Sequence, residues 1–132
     1  MSEIGVLVVD DEAAVRLNLA AYLEDEGFAV RTAESGELGL EMLADFVPAV
    51  AIVDMRMQGM DGNTFIARAH RRSPTLRFVV FTGSAEYQRP VEVRDAGVGE
   101  EDIYIKPVRD MAVLAAAVRR LAADRDSQGS QS

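Results

Sequence analysis

Five polar residues stand where apolar runs end. Asp10 and Asp11 follow the run at residues 4–9, Asp54 follows 50–53, Thr82 closes 77–82 and Lys106 closes 102–106. Three carboxylates meeting within a few ångströms repel one another, by about 4 kcal/mol per pair at 4 Å and an effective dielectric near 20. Something cationic must offset that. Mg²⁺ suits the chemistry, since it takes oxygen ligands, uses one or two carboxylates plus waters, and leaves room for a phosphate oxygen. Lys106 adds a point charge that can pair with Asp54 or with a phosphoryl oxygen. The Thr82 hydroxyl and the amides around Gly83 are donors for an anion. A metal, a nucleophilic carboxylate, a lysine and a hydroxyl are the parts of in-line phosphoryl transfer to aspartate, and Asp54 is the candidate acceptor.

These residues need a scaffold that brings strand ends together. Residues 4–9 form a continuous apolar, β-branched run, as expected of a strand covered on both faces. From Ala13 the period becomes helical, with Val15, Leu19, Ala20, Tyr22 and Leu23 on the apolar side and Gly27 as the stop. Residues 28–33 read as a second strand. Ser35 and Gly36 open a helix through Leu38, Met42 and Leu43, and Pro48 closes the connection. Residues 50–53 make the third strand, and Asp61-Gly62 starts a helix carrying Phe65, Ile66 and Ala69 before a break near Ser73-Pro74. Residues 77–82 are the fourth strand. Pro90 confines the next helix to about residues 90–96, with residues 85–89 expected to be loose. Residues 102–106 are the fifth strand, and Met111, Leu114, Val118 and Leu121 line the last helix.

Strands alternating with helices in this way predict an α/β fold, a doubly wound five-stranded parallel sheet with right-handed crossovers. Ligand crevices in such sheets lie at the carboxyl ends of the strands near the topological switch point, where the five polar residues fall. Residues 1–123 are expected to form one domain and residues 124–132 a polar, disordered tail. At 132 residues and 48% hydrophobic, the chain suits a single core. It has no cysteine, which removes disulfides and thiol chemistry and fits a cytoplasmic setting. No stretch approaches a membrane span, and a net charge of −8 opposes direct nucleic-acid binding.

Asp10-Asp11, Asp54, Thr82-Gly83 and Lys106-Pro107, in this order and at these strand ends, resemble the receiver domain of two-component response regulators (CheY-like), from Ile4 to about Ala123. The resemblance implies strand order 2-1-3-4-5 and phosphoryl transfer to Asp54 from a sensor histidine kinase or histidine phosphotransfer protein. It implies Mg²⁺ held by Asp11 directly, by Asp10 mainly through water, by Asp54 and by the Arg56 backbone carbonyl. Thr82 and Lys106 would engage the phosphoryl group, and Lys106-Pro107 would be a cis peptide. The altered surface would then bind a downstream protein target, with a homodimer left open.

The chain also departs from the family pattern. Gln58 stands where the family often has proline. Arg56 and Ser84 occupy positions whose side chains tune dephosphorylation, and the usual place of the switch aromatic holds Ile103, with Tyr104 on the opposite strand face. Rival readings are an Asp-nucleophile phosphatase, which would want a second acid where Arg56 stands, and a flavodoxin-like binder, whose phosphate Asp10-Asp11-Glu12 would repel. Two further alternatives are a scaffold that acts without phosphorylation and the receiver portion of a larger response regulator or hybrid kinase. Met1 and the short polar end favour a stand-alone chain.

Overall fold

The chain's computed structural model describes residues 3–130. Its elements are β1 (Gly5–Val9), α1 (Ala13–Asp25), β2 (Ala29–Ala33), α2 (Gly36–Met42), β3 (Val50–Val53), α3 (Gly62–Arg72), β4 (Arg77–Thr82), α4 (Val91–Asp95), β5 (Ile103–Ile105) and α5 (Ala112–Ser130). The strands form one sheet in the order β2-β1-β3-β4-β5, and every neighbouring pair is parallel. Among the described residues no helix is long and apolar enough to cross a membrane.

The period of two along each strand divides the apolar side chains between two cores. Leu7, Val9, Ala51, Val53, Phe78 and Val80 pack with Leu40 of α2, Phe65 and Ile66 of α3 and Val93 of α4. Val6, Val8, Val50, Ile52, Val79 and Phe81 pack with Leu19 and Leu23 of α1 and Leu114, Val118 and Leu121 of α5. Because both faces are covered, β1 and β3 carry no polar side chain, and their acids come directly after the last strand residue.

Local signals place the helices. Ser35 Oγ accepts the Leu38 amide at 3.1 Å and Asp61 Oδ1 accepts the Thr64 amide at 2.9 Å, so both are N-caps. Gly27 takes φ +97°, the left-handed conformation that ends α1. The fifth strand is shorter than the sequence suggests, because residues 100–102 form a 3₁₀ turn and Lys106 lies one residue beyond β5. The last helix differs in the other direction. The sequence predicts a polar tail from Asp124, whereas α5 continues to Ser130, since adding a residue to an existing helix needs no new nucleus. Gln131 and Ser132 lie outside the described residues.

Candidate functional site

The site grows out of the sheet's own hydrogen bonds. Val9 and Val53 are register partners, so the residues that follow them emerge side by side. The ladder continues one step beyond each strand: the Asp10 amide donates to Ala33 O at 3.1 Å, the Asp54 amide to Val9 O at 3.0 Å, and the Lys106 amide to Thr82 O at 2.8 Å. β1 lies between β2 and β3, so Asp10 and Asp54 mark the point where the sheet order reverses. The Lys106-Pro107 peptide is cis, as expected.

Lys106 Nζ lies 2.8 Å from Asp10 Oδ2, 3.4 Å from Glu12 Oε1 and 3.6 Å from Asp54 Oδ2. The side chains of Asp10 and Asp54 are only 4% and 5% exposed. Burial, then the neighbouring Asp10 charge, pushes the Asp54 carboxyl up to about 6, against the opposing pull of Lys106 and a hydrogen bond from the Arg56 amide. Burial pulls Lys106 down, but its hydrogen bond to Asp10 and the charges of Asp10, Asp54 and Glu12 outweigh this, so it titrates above the ordinary lysine value.

Thr82 is fully buried, and its Oγ1 accepts the Ser84 amide at 3.2 Å. Arg56 is exposed, with Met55 and Met57 buried on either side of it in the core. A Cβ on Gly62 would collide with the Asp54 carbonyl oxygen and Met55, so only glycine lets α3 start this close to Asp54.

Asp10, Asp54 and Lys106 thus come together. Asp11 does not join them in the same way, because its Oδ2 accepts the Gln58 amide at 3.2 Å. Among the described residues, the group of three acids whose carboxylate oxygens all lie within 4.8 Å of one another is Asp10, Glu12 and Asp54. Sequence reasoning missed Glu12 as a site residue and counted it only among the acids that would repel a bare phosphate. Its position directly after the acidic pair was the available signal. Residues 85–89, expected to be loose, are tied down at Tyr87, whose hydroxyl donates to Asn63 Oδ1 at 2.6 Å. This hard-oxygen donor set fits a small divalent cation such as Mg²⁺, at a place where Lys106 already shares the same oxygens.

The family model described as the response regulator receiver domain matches residues 6–119. The chain belongs to this family. This receiver is 33% identical over 121 residues to the transcriptional activator protein ExaE of Pseudomonas putida, a match that covers 90% of this chain and 55% of ExaE. The chain therefore spans about half the length of that relative. Among solved structures, a CheY-like receiver domain protein from Methanospirillum hungatei superposes with a TM-score of 0.85 at 26% identity, covering 96% of this chain and 99% of the other. The response regulator TrrA of Thermotoga maritima, solved with Mg²⁺ and BeF, superposes with a TM-score of 0.77 at 25% identity, covering 89% and 98%.

Proposed function

We propose that this receiver is a phosphorylation-dependent switch that takes a phosphoryl group onto Asp54 from a histidine kinase or phosphotransfer protein and then presents a changed surface to a downstream protein. The observation that carries the reading is the placing of Asp10, Asp54 and Lys106 at the sheet's switch point, with Nζ 2.8 and 3.6 Å from the two acids. With a pKa of about 6, Asp54 is mostly ionised at neutral pH and able to act as a nucleophile. Its oxygen bonds to phosphorus as the donor's P–N bond breaks, and the imidazole leaves with the electron pair. The chain assists its own phosphorylation and dephosphorylation by positioning these groups.

Lys106 needs only a short swing from Asp10 to reach a phosphoryl oxygen on Asp54, and the Thr82 hydroxyl is a second donor. Asp10, Asp11, Asp54 and the Arg56 carbonyl would hold Mg²⁺, which when bound supplies neutralisation of phosphoryl charge. The readout surface lies around the cleft of about 470 Å³ lined by Tyr87, Arg89, Arg94 and Ile103. Ile103 packs on the α2–α4 side and Tyr104 on the α1–α5 side, so an aromatic switch at position 103 has no counterpart here. The net charge of −8 supports signalling through proteins and not through direct nucleic-acid contact.

Incubation with a small phosphodonor and Mg²⁺, read by intact-protein mass, tests this. A gain of one phosphoryl group that disappears in Asp54→Ala is the expected result. No modification would leave the fold as an unphosphorylated scaffold. Arg56, exposed two residues beyond the acceptor, is placed to influence water attack, and Arg56→Ala should change the lifetime of phosphoryl-Asp54; equal decay of labelled wild type and variant would remove that role.

A further inference from the structure

Glu12 occupies the N-cap position of α1, where a side chain ordinarily accepts an amide from the first turn, yet its carboxylate makes no capping bond. Its backbone amide donates to Asp10 Oδ1 at 2.9 Å. The carboxylate instead pairs with Lys106 at 3.4 Å. It also lies within 4.8 Å of the oxygens of Asp10 and Asp54. At 63% exposure it stands on the solvent side of a pocket whose other two acids are buried. A carboxylate released from capping and turned onto the site's lysine has an electrostatic role toward whatever enters.

We propose that Glu12 is a charge gate for phosphorylation: it helps hold Lys106 in its resting position and repels anionic donors on the solvent side, so that donors are discriminated by their charge. This rests on Asp54 being the phosphoryl acceptor. The charge of Glu12 opposes each unit of negative charge on an approaching donor, while the lysine it restrains is the group that would otherwise attract that donor. Removing the charge therefore helps a dianion more than a monoanion. At a separation of several ångströms in a water-like dielectric, the effect is about threefold in rate per unit of donor charge.

Two small donors separate the effects. With acetyl phosphate, a dianion at neutral pH, the Asp54 oxygen bonds to phosphorus as the phosphorus–oxygen bond breaks and acetate leaves. With phosphoramidate, which carries one net negative charge and a protonated nitrogen, the P–N bond breaks and ammonia leaves. Rates for wild type, Glu12→Gln and Glu12→Asp are measured by intact mass at saturating Mg²⁺ and low ionic strength, with thermal melts to verify folding. Glu12→Gln should react about tenfold faster with acetyl phosphate and about threefold faster with phosphoramidate. Glu12→Asp should stay near wild type, and added salt should shrink both gains. Unchanged rates, equal acceleration with both donors, or slower reaction with weaker Mg²⁺ binding would overturn the gate. Failure of wild type itself to accept a phosphoryl group from either donor would instead overturn the acceptor role of Asp54.

Discussion

A carboxyl that titrates at about 6 instead of 3.8 is ionised at neutral pH only at a cost to the fold. Folded Asp54 binds its proton more tightly than the same residue in the unfolded chain. Its favourable contribution to stability is therefore complete below pH 3.8 and lost as pH rises through about 6. Two pKa units correspond to at most about 3 kcal/mol, and the low exposure of the side chain leaves little solvent to screen it. Asn at this position keeps the shape and cannot ionise. Asp54→Asn should raise metal-free stability in urea titrations by about 1–3 kcal/mol at pH 7.5, and the gain should shrink as the pH is lowered toward 4. A pH-independent gain would assign the effect to hydrogen bonding and not to charge. Lys106 explains why the wild type tolerates the arrangement, since its ammonium lies within 4 Å of Asp10, Glu12 and Asp54 together.

In the loop between β3 and α3, proline at position 58 could not make the contact found there. The Gln58 amide donates to Asp11 Oδ2 at 3.2 Å, so a backbone group proline lacks engages an acid expected to face the cation. Gln58→Pro should tighten Mg²⁺ binding about fivefold, the equivalent of one ordinary hydrogen bond of about 1 kcal/mol, whereas Gln58→Ala keeps the amide and should not. Calorimetric titration of the two variants checks this, and equal affinities would mean that Asp11 exchanges partners freely. The same loop shows what a sequence can and cannot disclose. Asp54 at a strand end, the Asp61 cap and the Gly62 helix start were all legible, because each follows from local pattern or backbone chemistry. The Asp11–Gln58 bond spans 47 residues and the Lys106–Glu12 pair spans 94, and no local period encodes which way an acidic side chain turns. Tyr87 was missed for the same reason, since its partner Asn63 belongs to another element. The 3₁₀ turn that shortens β5 also lacks a local signature: the sequence reading begins the strand at Asp102, whereas Asp102 ends the turn and is buried.

Across the molecule, the two cores share the sheet, and the short edge strand β5 is where that sharing is thinnest. It pairs with β4 on one side only, over three residues. Beyond its last residue the ladder adds Lys106, while at its start Asp102 is held from two directions: its Oδ2 accepts the Gly99 amide at 2.8 Å and its Oδ1 accepts Arg120 of α5 at 2.7 Å. The Asp102 side chain is 2% exposed and Arg120 is 41% exposed, so the acid depends on the arginine more than the reverse. Arg120→Ala would leave a buried carboxylate with the Gly99 amide as its remaining described partner, a change of about 1.5–3 kcal/mol for a hydrogen bond to a charged group. If the tie is local, that energy should appear as faster amide exchange through residues 103–105, with β1 and β3 opening only with the whole fold. If every strand is destabilised equally, α5 and β5 open together with the rest and the edge is not an independent unit. The distinction bears on signalling. Lys106 immediately follows β5 and contacts Asp54, so an edge that opens separately gives the proposed phosphoryl acceptor a short mechanical route to the cleft beside α4 without disturbing β1 and β3.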